Sequence, residues 1–274
     1  KTIHPYIAII RPEQWTKNIL VFVPIFFSPQ SLNTERLLIA LNAFLIFCLT
    51  AGAVYIVNDI IDVNKDRLHP LKKNRPLAKK SLSKSQAIIF CFALITLALI
   101  YSIKFVPTII PFIVIYFVLN IIYSLWLKNI VLLDLAAIAI FYTIRIVAGG
   151  NATQTPLTGW LVICLIAATL LIIIGKRKAE LHHPNTRKVL TKYNPKHLSV
   201  LFNLTAGITI LAYGFYTIHG IQPRTGIYTN IFVILAIVRF IWITKKNPAK
   251  TEFPEKLLIQ DLVIFSSIFV GSIL

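Results

Sequence analysis

The sequence predicts an all-α integral membrane protein, and three observations carry that expectation. Apolar runs approaching the roughly 20 residues needed to cross a bilayer recur along the whole chain. Only 14% of the 274 residues are charged, whereas a soluble domain carries about a quarter. The cations that remain are sorted by loop, as the positive-inside rule requires of a polytopic protein. A single cleaved signal peptide does not explain the apolar runs, because they are not confined to the N-terminus. The chain begins at Lys1 rather than Met, so a short leader is expected upstream.

An amphipathic helix is expected over residues 4–17. About nine spans follow, at 18–29, 36–58, 85–104, 107–127, 130–149, 158–176, 197–219, 226–244 and 257–274. The first is short and holds Pro24 and Pro29, which kink or end a helix. Gly149 and Gly150 are expected to permit a turn after the fifth span. No low-complexity linker divides the chain, so residues 1–274 read as a single transmembrane domain. Cys48, Cys91 and Cys164 lie in apolar runs without CxxC spacing, which points to buried packing rather than zinc or a disulfide framework.

The net charge is +18. In a soluble protein this would point to nucleic acid; here the cations lie between spans, and topology and anionic ligands account for them, so no nucleic-acid partner is expected. One side of the membrane receives Lys1, Arg11, Lys17, the cations from Lys65 to Lys84, Lys128, Lys176 to Lys196, and Lys245 to Lys256. The other side receives Arg36, Lys104 and Arg224. The asymmetry places the N-terminus and the long loops in the cytoplasm, at a plasma (inner) membrane. Almost all acids share that side, and positive-inside sorting does not demand them. Their presence argues for chemistry facing the cytosol.

The acids concentrate in NDIIDVNKDRLHPLKKNRP, residues 58–76. Asn58, Asp59, Asp62 and Asp66 fall within an arc of about 100° on a helix. Such a face suits Mg²⁺, which prefers hard oxygen ligands and often shares them with a substrate phosphate; Mn²⁺ accepts the same donors. Asp59 and Asp66 stand about 10 Å apart along an ideal axis. Two metals, bridging waters, or a bend before Pro70 would each reconcile that separation with Mg–O bonds of about 2.1 Å. The plainer alternative is a solvated helix end paired with Lys65 and Arg67. It does not explain Asn58 and Asp59 at the bilayer margin, where ionisable groups are costly. Just beyond, Lys72, Lys73 and Arg75 are placed to bind phosphates, in a loop bounded by Pro70 and Pro76. The same charges also serve as headgroup partners in any cytosolic loop.

NDIIDVNKD resembles the first acidic motif of the UbiA superfamily of membrane prenyltransferases. RPEQWTKN (11–18), DRLHPLKKNRPLA (66–78) and GKRKAEL (175–181) are similar to a branch that moves phosphoribose onto polyprenyl phosphates, and the likeness runs along nearly the whole chain. It implies nine transmembrane helices around a central cavity. It also implies a Mg²⁺-dependent transfer of 5-phosphoribose from phosphoribosyl pyrophosphate to a polyprenyl phosphate, with release of pyrophosphate, in cell wall biosynthesis. Aromatic prenyltransferases of the family have a second aspartate-rich cluster after the sixth helix. Here that place reads Lys176-Arg177-Lys178-Ala179-Glu180, one acid among cations, which suits a donor with an additional phosphate.

The resemblance also ranks single residues. Lys17 is favoured for anion binding over Arg11 and Asn18, with Trp15 at the interface. Lys176, Arg177 and Glu180 join the phosphate-binding set, Arg177 and Glu180 being i, i+3 neighbours whose bland alternative is a surface pair. Tyr123, Lys128 and Asp134 surround a short turn. Asp134 and Arg145 share a face of the next span and need partners, whether substrate or another helix. Tyr142 lines a cavity or packs in the core. His69 and the adjacent His182 and His183 are weak ligand signals. Asp59, Asp62 and Asp66 are the metal-binding and catalytic set. Asn58, Lys17, Lys73, Arg75, Tyr123, Lys128, Arg145, Lys176, Arg177 and Glu180 are the substrate set. Two other functions remain: prenyl transfer from a prenyl diphosphate to an aromatic or lipid acceptor, and lipid transport.

Overall fold

The computed structural model describes residues 4–27, 33–70, 72–181, 193–219, 223–251, 257, 260–264 and 266, with the side chains of 223–226 outside the description. Every regular element among them is helical. Among the described residues, seven helices are long and apolar enough to cross a membrane: Thr34–Leu68, Lys84–Phe105, Pro107–Leu125, Leu133–Ala152, Gly159–Glu180, Pro195–His219 and Ile227–Lys246. These match seven expected spans within a few residues at most ends. The expected last span, 257–274, falls largely outside the described residues, as do Lys1, His182, His183 and most of the loop that follows Leu181.

The N-terminal segment departs from expectation. Helix α1 (Pro5–Ile10) stops at Arg11, which takes a left-handed conformation at φ 51°. Pro12 explains the stop, since its ring disfavours the helical conformation at the preceding residue. A 3-10 segment, Pro12–Phe22, then runs into α2 (Val23–Phe26). The 3-10 rise of about 2 Å per residue stretches these residues to roughly 28 Å, close to the roughly 30 Å hydrocarbon thickness. A run too short for an α-helical span thereby gains length.

The chain falls into two compact units, residues 1–127 with 144–156, and residues 128–143 with 157–274. In the first, α3 (Thr34–Leu68) is the axis, and α1, the 3-10 segment, α4 (Lys84–Phe105) and α5 (Ile110–Leu125) pack on it. Ile9, Ile56, Val63, Leu77, Leu82 and Leu94 form the core around the half of α3 that ends at Leu68. Asn33 caps the start of α3, and a reciprocal Ser83–Gln86 capping box starts α4. The loop between α3 and α4 is thus pinned by buried Leu77 and Leu82 before the cap. Gly149 and Gly150 do not form a turn; both lie inside α6 (Leu133–Ala152). A Cβ on Gly149 would stand 2.0 Å from the carbonyl oxygen of Val21. Close backbone contact, rather than turn geometry, is what the glycine supplies, as small residues do between membrane helices.

In the second unit, α7 (Gly159–Glu180), α8 (Pro195–His219) and α9 (Pro223–Lys246) pack together, and α10 (Pro248–Thr251) joins them. Thr158 caps α7 through the amide of Leu161. Leu135, Ile174, Leu198, Phe202 and Phe240 build its core. The absence of a side chain at Gly175 admits the Phe240 ring, which an added Cβ would meet at 2.9 Å. Phe92, Ile100, Ile103, Leu211 and Val238 point outward from their spans, as apolar residues do when the surrounding solvent is lipid. All three cysteines are buried, as expected.

Candidate active site

Helix α3 does not stop at the end of its apolar run. It carries on through Asn58, Asp59, Asp62 and Asp66 to Leu68, 35 residues in all. At 1.5 Å per residue, Asp59 lies about 38 Å from Thr34, beyond the thickness of a hydrocarbon core when the helix stands upright. The acids therefore ride on the emerging end of a rigid helix rather than on a loop.

Their surroundings are dense in guanidinium groups. Asp59, 1% exposed, accepts from Nη2 of Arg11 and, at 3.2 Å, from Nη1 of Arg75. The same Arg75 nitrogen donates to Oδ2 of buried Asp66 at 2.6 Å. By the triangle inequality, oxygens 3.2 and 2.6 Å from one nitrogen lie no more than 5.8 Å apart. The carboxylates thus converge although their Cα positions are about two turns apart, and Arg75 bridges them. Arg11 reaches Asp59 from the left-handed hinge and stacks its guanidinium 5.2 Å from the Tyr55 ring centre. Asp62 is more open, with the well-exposed Lys65 3.9 Å away. Asn58 accepts from the Ser124 hydroxyl on α5. Lys73 is exposed, whereas Lys17 and Tyr123 are half-buried. His69 accepts from the Lys72 amide at 3.4 Å, a role in the turn.

The donor set fits a divalent ion. Oδ2 of Asp59 is buried without a hydrogen-bond partner, a costly state for a carboxylate oxygen unless a cation or proton meets it. Asp66 and Asp62 add further hard oxygens on the same arc. Among the described residues no three His, Cys, Asp or Glu side chains already form a metal cluster. Arg75 stands where Asp59 and Asp66 converge.

Arg145 sits in the same unit, 3% exposed on α6. Its Nε donates to Asn18 at 2.7 Å and its Nη2 to the Tyr116 hydroxyl at 2.7 Å, with the guanidinium 4.6 Å from the Tyr116 ring centre. Asn18 is itself buried and also contacts Cys48. Asp134 and Arg145 share a helix face, but each finds its partners on other elements.

The second basic motif belongs to the other unit. Arg177 is 2% exposed and turned into the protein, with Nη1 2.6 Å from Glu180 and Nε 3.4 Å from Asp134. Tyr193 donates its hydroxyl proton to Asp134 and accepts from the Leu132 amide at 2.9 Å. Burial, reinforced by the hydrogen bond to Asp134, pushes the Tyr193 phenol well above its ordinary range. The Arg177–Glu180 pair is therefore internal, not a surface pair. Lys176 and Lys178 are half-buried, the latter 4.8 Å from the Phe202 ring centre. Lys128 and Tyr142 are also half-buried. Ser124, Tyr116 and Tyr193 carry no local sequence signal; their partners lie 66, 29 and 59 residues away.

Fold and site together define a polytopic helical membrane protein with a charged, carboxylate-bearing helix end. The chain belongs to the UbiA prenyltransferase family, whose family model matches residues 19–259, and it is a transferase of that family. Decaprenyl-phosphate phosphoribosyltransferase of Mycobacterium tuberculosis is 32% identical over 93% of this chain and 87% of its own length. The protein of the same description from Corynebacterium glutamicum is 32% identical over 94% and 81%. Among solved structures, a UbiA homolog from Archaeoglobus fulgidus bound to DMAPP and Mg²⁺ superposes with a TM-score of 0.75 at 16% identity, covering 99% of this chain and 100% of the other. A digeranylgeranylglyceryl phosphate synthase gives 0.72 at 18%, covering 98% of each. At these identities the structures speak to the fold. The resemblance drawn from the motifs at 11–18, 58–78 and 175–181 is borne out.

Proposed function

We propose that the protein transfers 5-phosphoribose from phosphoribosyl pyrophosphate to a polyprenyl phosphate and releases pyrophosphate, at the cytosolic face of the plasma membrane. The observation that carries the choice of donor is the state of Glu180. It is the one acid of the second motif, and its carboxylate is engaged by Arg177 at 2.6 Å. That helix end offers cations rather than a second set of metal-binding carboxylates. A donor with a 5-phosphate beside its diphosphate suits such a site better than a prenyl diphosphate does. The relatives named above, similar along nearly the whole chain, support the same reading.

Asp59, Asp62 and Asp66 would hold Mg²⁺ or Mn²⁺. When bound, a divalent ion supplies charge neutralisation for the departing pyrophosphate. The chain's own groups do the rest. Arg75, Lys73 and Lys17 bind phosphate oxygens and stabilise charge developing on the leaving group. Asn58, fixed by Ser124, holds its amide at the rim of the carboxylate face. In the second unit, Lys176 and Lys128 are the proposed phosphate ligands, and Arg177 keeps the end of α7 in place. The lipid acceptor is already an anion, so no strong general base is needed. Ribose C1 changes partner from pyrophosphate oxygen to lipid phosphate oxygen.

The test is a transfer assay on purified protein with a polyprenyl phosphate acceptor. Label from phosphoribosyl pyrophosphate should enter the lipid fraction, and label from a prenyl diphosphate should not enter an aromatic acceptor. The reverse pattern rejects the proposal.

A further inference from the structure

The place where Asp59 and Asp66 converge is filled by a side chain of the protein itself. One Arg75 nitrogen contacts both carboxylates, at 3.2 and 2.6 Å. The backbone that carries it is fixed on one side by the Lys72–Asn74 turn and on the other by buried Leu77 and Leu82. The side chain, however, is 27% exposed, so it can swing outward while its loop stays anchored. Arg11 differs: of the two carboxylates it pairs with Asp59, and it is held over the Tyr55 ring. Oδ2 of Asp59 remains buried and without a partner even with both guanidinium groups present.

We propose that Arg75 is an exchangeable counter-ion: it bridges Asp59 and Asp66 in the ligand-free protein, yields the carboxylates to a divalent ion, and turns to the phosphates of the donor. The inference rests on the divalent-ion reading above and adds an order to it. A guanidinium and a divalent cation repel strongly within about 4 Å in a partly buried site, so both cannot hold the same carboxylate pair. The displaced guanidinium finds anionic oxygens only when a diphosphate arrives with the ion. Metal alone therefore binds weakly, and metal with diphosphate binds well. Arg75 makes the carboxylates selective for the complete metal–diphosphate unit and protects them from free cations.

The test is Mn²⁺ binding to purified protein in nanodiscs, followed by the electron paramagnetic resonance signal of free Mn²⁺, with and without inorganic pyrophosphate. Without pyrophosphate, Arg75→Gln should bind Mn²⁺ about tenfold more tightly than the unaltered protein, and the tightening produced by pyrophosphate should shrink by about the same factor. Arg75→Lys keeps a positive charge against the buried carboxylates, which protects the fold, and should lie between the two. A purely structural arginine predicts the opposite sign, since its loss would loosen the site and weaken binding. Equal or weaker Mn²⁺ binding by Arg75→Gln, with Asp66→Asn still abolishing it, overturns the exchange and leaves the metal site standing. Absence of Mn²⁺ binding in every form, even with pyrophosphate, overturns the divalent-ion reading and the exchange with it.

Discussion

The buried carboxylate of Asp134 on α6 faces the buried guanidinium of Arg177 on α7 across 3.4 Å. Neither group has ready access to water, and the pair ties the start of one span to the end of another within the second unit. Glu180 and Tyr193 complete the cluster. Removing one member of a buried ion pair costs about 3–5 kcal/mol because the other charge is stranded. Arg177 retains Glu180, so Asp134→Asn should cost less, about 2–3 kcal/mol. A thermal melt in detergent should show the loss, and Tyr193→Phe combined with Asp134→Asn should be non-additive, since both act on one network.

Gly149 yields a sharper structural prediction. Its missing side chain leaves room for the Val21 carbonyl, 2.0 Å from where a Cβ would be. Backbone cannot give way as a flexible side chain does, so Gly149→Ala should destabilise by about 3 kcal/mol or more. Gly207 has nothing within 4 Å of its Cβ position inside α8. Gly207→Ala should be neutral or stabilising by up to about 1 kcal/mol, through helix propensity. Equal melting shifts for the two variants would contradict the close approach.

Arg145 tests geometry against charge. Its Nε and Nη2 serve Asn18 and Tyr116 at once, which an ammonium at the end of a flexible chain does not reproduce. Arg145→Lys should therefore lower stability by about 1–3 kcal/mol despite keeping the charge. Asn18→Ala should show part of the same loss, measured by the same melts.

Much of the architecture was legible because lipid leaves few options. Apolar runs of spanning length must be helices when no water can satisfy their backbone, and seven helices lie where the runs are. The carboxylate face was legible too, since i, i+3, i+7 spacing is fixed by the helix period. The partners were not. Nothing local ties Asp59 to Arg11, 48 residues earlier, or Asp134 to Tyr193, 59 residues later. Helical periodicity shows which face a residue occupies, and tertiary packing decides who meets it. Arg11 carried one usable signal, the following Pro12, which ends α1 there and turns the side chain toward α3. The glycine pair at 149–150 suggests a turn from sequence alone, because close helix approach and chain reversal both call for glycine.

The central claim is that the carboxylates at the end of α3 hold a divalent ion for a leaving diphosphate, and turnover of Asp59→Asn tests it most directly. The substitution is nearly isosteric and keeps the helix, but replaces a charged oxygen donor with a neutral amide. Pyrophosphate release from phosphoribosyl pyrophosphate, with Mg²⁺ and a polyprenyl phosphate present, should fall by a factor on the order of 10³, the scale of about 4 kcal/mol in transition-state stabilisation. It should vanish in the unaltered protein when the ion is removed with EDTA and return when Mg²⁺ is restored. Near-normal release by Asp59→Asn, or indifference to EDTA, would contradict the account.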